Sequence, residues 1–190
     1  MGADIHMYVE YRNKKESKNR ETRGDRPYWI SYGDCINPGR NYCMFSVLAM
    51  VRGEYKDSFE PKGKIPWDLM SYSTRSDSHM IIYDKKDENK DREGFVSLEK
   101  AKSWEKYGCK IVYNEAGKPT HVENPDYHSH SWMGIKELEK AFRRYVKHAS
   151  KDWGEKITKP GVEWRALLAS MKALEDDGEN EVRVVFWFDN

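Results

Sequence analysis

Val182-Arg183-Val184-Val185-Phe186-Trp187-Phe188 is the stretch that decides the fold. Successive side chains of a strand alternate between its two faces. Val182, Val184, Phe186 and Phe188 therefore take one side, and Arg183, Val185 and Trp187 the other. Both sides carry large apolar groups, which is the signature of a central strand covered on each face.

Working outward, residues 3–12 alternate as well. Ile5, Met7, Val9 and Tyr11 oppose Asp4, His6, Tyr8 and Glu10, which predicts a half-buried strand with one wet, polar face. Asn13 to Arg26 is almost without apolar residues and reads as a solvated loop. Pro27-Tyr28-Trp29-Ile30 then reads as the return strand of a long hairpin. Asn41 is a good N-cap for a helix running to about Arg52, with Gly53 as its stop. Ser97 opens a second helix that ends near Gly108. Residues 110–113 and 120–122 form a hairpin with Gly117 at its turn. Gly134, with Glu137 three residues on, starts a third helix, striped by Ile135, Leu138, Phe142, Tyr145 and Val146. Pro160 opens a fourth, which Asp176-Asp177-Gly178 closes. Residues 54–94 are charged and broken by Pro and Gly. Only Met80-Ile81-Ile82-Tyr83 resembles a strand there, and the rest reads as an irregular, mobile insertion able to act as a lid.

Strands and helices do not alternate in βαβ order. The expectation is an α+β fold: an antiparallel or mixed sheet of about five strands, about four packed helices and the charged insertion, in a single domain spanning 1–190.

Composition narrows the function classes. The 190 residues carry a net charge of +1, so no global field draws the chain to extended nucleic acid or an anionic membrane. Three cysteines without C-x-x-C spacing argue against a disulfide framework or a zinc knuckle. No apolar run is long enough to span a bilayer, and a cytoplasmic location is expected.

Three constellations could carry chemistry. Asp126-x-His128-x-His130, followed by Ser131-Trp132, would place a carboxylate and two imidazoles on one side of an extended segment. There they could hold a divalent metal or act as acid and base around a phosphate. The competing role for these histidines is to cap the next helix or bond backbone carbonyls. Asp4-x-His6 lies on the polar face of the first strand, where it gains meaning only beside 126–130. Arg40-Asn41, at a helix N-terminus, suits an anion, although Asn41 could simply cap. Phosphate loops, dinucleotide fingerprints, nucleophile elbows and H-E-x-x-H are all absent.

Met1-Gly2-Ala3-Asp4-Ile5-His6, Arg40-Asn41-Tyr42 with Phe45, Leu48-Ala49-x-Val51-Arg52, His128-Ser129-His130-Ser131-Trp132 and Val184-Val185-Phe186-Trp187-Phe188-Asp189-Asn190 together resemble a group of uncharacterised phage and prophage proteins. The resemblance covers most of the chain outside the charged insertion. Position 3 is often cysteine in that group and is alanine here. What the resemblance implies is a phage origin and work in the host cytoplasm, with no reaction attached.

Taken together, these features predict a phage accessory protein that binds a phosphate-bearing nucleotide, and sequesters or hydrolyses a linear or cyclic nucleotide signal in evading host defence. The expected catalytic residues are His6, His128 and His130. Asp4, Arg40, Asn41, Ser129, Ser131 and Trp132 are expected to bind ligand, and Asp126, His128 and His130 to hold a divalent metal. A phosphodiesterase-type hydrolase is the matching enzyme class. The alternative is a non-enzymatic module that inhibits a host protein, with structural histidines. Either could be a homo-oligomer.

Overall fold

A computed structural model describes residues 2–17, 29–83 and 94–189. The fold is α+β. The first sheet contains β1 (Asp4–Asn13), β2 (Ile30–Ser31), β7 (His128–Gly134) and β8 (Asn180–Asp189), in the order β2-β1-β8-β7, antiparallel throughout. The second contains β3 (His79–Tyr83), β4 (Phe95–Ser97), β5 (Ile111–Tyr113) and β6 (Pro119–Glu123), in the order β4-β3-β6-β5. There only β3 and β4 run parallel. The strands thus divide between two sheets, and Phe95–Ser97 and His128–Gly134 are strands that the residue pattern alone does not mark.

The helices are α1 (Lys14–Ser17), α2 (Tyr42–Ala49), α3 (Tyr72–Ser78), α4 (Leu98–Glu105), α5 (Ile135–Trp153) and α6 (Val162–Glu175), with a 3-10 turn at Trp67–Leu69. The expected starts hold: the side chains of Asn41 and Ser97 accept from Met44 N and Lys100 N, and Glu137 accepts from Gly134 N. The stop of α2 differs from expectation. Met50 takes a left-handed conformation (φ 58°) and ends the helix before Gly53 is reached. Asn41 also donates to Tyr145 Oη at 3.3 Å. Asn41→Ala is expected to cost about 1 kcal/mol, the usual worth of an N-cap, read as a shift in the urea midpoint at constant slope.

β8 is central and covered on both sides, as its alternation predicts. Val184, Phe186 and Phe188 join Ile5, Met7 and Val9 in a core closed by Phe45 and Leu48 of α2, Leu138 and Phe142 of α5, and Trp164 and Met171 of α6. The opposite face is a correction to the wet face expected of β1. There Tyr8 packs with Val185 and Trp187 under Ile65 and Met70, and Glu10 is fully buried.

Residues 54–94 supply that second cover. The 3-10 turn, α3 and β3 lie in this segment, and residues 54–66 ahead of them form no helix or strand, in keeping with an irregular insertion. Residues 84–93, the most charged part of the expected lid, lie outside the described residues, as do most of the predicted loop after Asn13 and Pro27-Tyr28 of the predicted return strand.

Candidate functional site

Antiparallel register decides which side chains meet on the second face of the first sheet. Asp4 pairs with Asp189, His6 with Trp187, Tyr8 with Val185 and Glu10 with Arg183. Directly opposed residues share a face, so Asp4, His6, Asp189 and Trp187 gather at one end of the sheet.

Two further pieces complete the cluster. The segment after β2 continues along β1 through bonds from Tyr32 N to Val9 O and Ile36 N to Met7 O, both 2.8 Å. That course carries Cys35 over His6. Ser71 caps α3 by accepting from Thr74 N, and the last turn of that helix holds Asp77 against the same ring.

His6 Nδ1 lies 3.1 Å from Asp77 Oδ2, and Nε2 lies 3.3 Å from Asp189 Oδ2. Tyr8 Oη donates to Asp77 Oδ2 at 3.0 Å. The ring of His6 stacks on Trp187, centroids 5.6 Å apart and 12° from parallel, and Tyr127 leans against it at 4.9 Å. Ligand atoms of His6, Cys35 and Asp77 all lie within 4.8 Å of one another, the one group among the described residues able to hold a metal ion. Burial by itself would push the His6 imidazole down; its bonds to Asp77, Cys35 and Asp189 and the charge of Asp77 win, and raise it to about 10. Burial beside those carboxylates raises the Tyr127 phenol to about 12.

At the rim, Arg40 donates Nε and Nη2 to Asp4 Oδ1 and Oδ2, both at 2.7 Å, and Asp4 N donates to Asp189 Oδ1. The guanidinium bonds hold the Asp4 carboxyl below its ordinary value. Asn41 is occupied as a cap.

The predicted trio Asp126, His128 and His130 does not assemble. Opposite β8, His128 pairs with Phe188 but Ser131 pairs with Phe186, so β7 carries an extra residue there. Ser129 absorbs it with φ 51°. The bulge reverses the alternation. His128 stays on the Phe188 side, its Nδ1 3.0 Å from Ser129 Oγ, whereas His130 goes to the Trp187 side, 5.9 Å from that ring. Asp126 is exposed, in a turn closed by its own N–H to Asn124 Oδ1.

The other predicted ligand residues have structural partners. Ser131 accepts from Lys62 N, and the ring of Trp132 lies under Lys62 Nζ at 5.3 Å. His6 of β1 and His130 of β7 both contact the Trp187 ring, so the N-terminal strand and the 128–132 segment meet on one face, although His6 does not line the cleft that holds His130.

His130 belongs to a separate cleft between the two sheets, lined by Lys64, His79, Glu123, Ser131 and Trp187, with about 20 Å³ of internal free volume. That volume suits a single water-sized occupant. Neither His130 Nε2 nor Trp187 Nε1 has a protein partner among the described residues. Burial drives His79 and His130 down to about 4, with neighbouring Lys64 pushing the same way.

Cys35, Asp77, Asp189 and Tyr127 are the residues that local pattern reading misses. Each enters through long-range pairing, and no spacing near His6 announces them. No helix among the described residues is long and apolar enough to cross a membrane. Compared with protein-family models, curated proteins and solved structures, the chain has no match.

Proposed function

We propose that the chain binds a small phosphate-bearing nucleotide at the His6 end of the first sheet, and that hydrolysis of a phosphodiester is the reaction this end of the sheet serves. The observation that carries the reading is the convergence of His6, Asp77, Asp189 and Cys35 beside Tyr127 and Arg40 at a solvent-accessible edge. Arg40 is the group offered to the phosphate. Its pair with Asp4 is exposed on both sides (55% and 39%), a setting in which screening leaves little net attraction, so a bidentate phosphate can take Asp4's place. The face of Tyr127 suits a base or ribose, and the carboxylates of Asp77 and Asp189 fix the His6 imidazole beside it.

A phage accessory role in blunting a host nucleotide signal fits such a site and the resemblance carried by motifs along most of the chain. The test is thermal shift and turnover with a panel of linear and cyclic nucleotides, with and without EDTA. A stabilising shift lost in Arg40→Ala is the expected result. No shift and no turnover across the panel removes the reading.

The alternative, a module that inhibits a host protein, is favoured by one observation: Ile30 in the edge strand β2 and Tyr32 just after it are each 50% exposed, and Tyr72 is 68% exposed. A stoichiometric host partner whose capture is indifferent to His6→Ala and lost in Tyr32→Ser would favour that class.

A further inference from the structure

We propose that the His6 cluster is a divalent-metal site of the zinc class, with His6 Nδ1, Cys35 Sγ and Asp77 as protein ligands and a fourth position open to solvent or substrate. It deepens the functional reading by naming the cofactor, and rests on it only in taking this cluster as the functional centre.

The donor set is the first argument. One thiolate, one imidazole and one carboxylate match a borderline ion such as Zn²⁺ far better than Mg²⁺ or Ca²⁺, which take oxygen. Three protein ligands with one open position is the arrangement of catalytic zinc, whereas structural zinc is closed by four.

The spacing is the second. Bond lengths of about 2.0–2.3 Å in a tetrahedron put ligand atoms roughly 3.3–3.8 Å apart. The three ligand atoms already lie within 4.8 Å of each other, and Nδ1 to Asp77 Oδ2 is 3.1 Å. Cys35 is exposed and can close the remaining gap by side-chain rotation.

The surroundings are the third, and they are independent of the ligands themselves. A metal-bound histidine commonly gives its other ring N–H to a carboxylate, which fixes its tautomer and orientation. Here Nε2 faces Asp189 Oδ2 at 3.3 Å, and Asp189 is itself held by Asp4 N. Tyr8 Oη steadies the ligating carboxylate of Asp77, and Trp187 supports the imidazole from below. Asp189 is thus a positioning residue. The two other cysteines are ill placed for this chemistry: Cys109 is buried in the second sheet's core and Cys43 faces Tyr55.

The experiment is a titration of the metal-stripped full chain with Co²⁺ alone, followed by competition with Zn²⁺. Expected are one equivalent bound, thiolate-to-cobalt charge transfer in the near ultraviolet, and the intensified visible bands of a tetrahedral centre. Cys35→Ser should abolish the charge transfer, while Cys43→Ser should keep it. Asp189→Asn should keep the spectrum and weaken affinity about 10- to 100-fold. Circular dichroism of the metal-free variants establishes that each is folded.

Absence of a stoichiometric cobalt spectrum, or a charge-transfer band unchanged in Cys35→Ser, overturns the site. If nucleotides bind yet cobalt does not, the ion falls and the functional reading stands. If cobalt binds as described yet no nucleotide responds, the site stands and the nucleotide reading falls.

Discussion

Arg183→Met is expected to destabilise the chain by about 3–5 kcal/mol, the cost of stranding a buried carboxylate, and to lower Tm by about 10 °C for a chain of this length. Glu10 has no exposed surface and Arg183 only 12% of its side chain. They face each other across the β1–β8 register. Glu10 Oε2 accepts from Arg183 Nε at 2.8 Å, while Oε1 accepts from Ser71 N at 2.8 Å and from Thr74 Oγ1. Arg183 also donates to Leu69 O and lies over the Trp29 ring, 3.8 Å from its centroid. Burial pushes the guanidinium's pKa down, and Glu10 opposes that push.

Removing the cation leaves Glu10 fully buried, with the neutral donors Ser71 N and Thr74 Oγ1 still on Oε1. Glu10→Leu combined with Arg183→Met should regain much of the loss, because an apolar pair avoids the desolvation cost. It should not regain all of it, since Ser71 N and Thr74 Oγ1 would then lack their acceptor. Ser71 and Thr74 begin the helix that carries Asp77, so both variants should also weaken whatever the His6 cluster binds. Urea denaturation of the four members of the cycle measures the coupling. A loss below about 1 kcal/mol in the single variant would mean that water reaches the pair and that the second face of β1 is wet after all.

That second face shows where local reading runs out. The class of the fold was legible because β8 is apolar on both sides and because Asn41, Ser97 and Glu137 cap helices through contacts three residues away or fewer. Asp4-x-His6-x-Tyr8-x-Glu10 is equally regular, yet polar letters spell solvent unless their partners are known. The partners are Asp189, Trp187 and Arg183, which lie more than 170 positions distant, and α3, from a segment that looks structureless because its anchor is a buried charge and not an apolar stripe.

The bulge in β7 was hidden for a different reason. Glycine commonly marks the left-handed residue of a bulge, and here Ser129 occupies it. Strict alternation then puts His128 and His130 together, while the actual backbone sends them to opposite faces. His6 survives as a candidate and the H-x-H trio does not.

The fate of His130 leads to the second large effect, which is acid lability with a definite sign. In the folded chain its imidazole is held near 4, mainly by burial and then by Lys64, against an ordinary value of 6.5. Between those values the unfolded state binds more protons than the folded state, so stability rises with pH across the window. The contribution is complete above about 6.5, falls as pH drops, and stops falling below about 4. Linkage over that gap amounts to about 2 kcal/mol lost between pH 7 and pH 5. His79 adds a loss of the same sign from the other wall of the cleft, and Glu123 there opposes both.

His130→Gln keeps the shape of the side chain and removes its titration. The variant is therefore expected to lose about 2 kcal/mol less than the parent over the same interval, measured as the difference of urea-derived stabilities at the two pH values. Carboxylates that titrate lower down contribute equally to both proteins and cancel in the comparison. Parallel pH profiles would mean that the imidazole takes up its proton without leaving the fold. The space beside Trp187 would then have to supply a counter-charge to the imidazolium, in place of the buried setting between the sheets that now keeps both rings neutral.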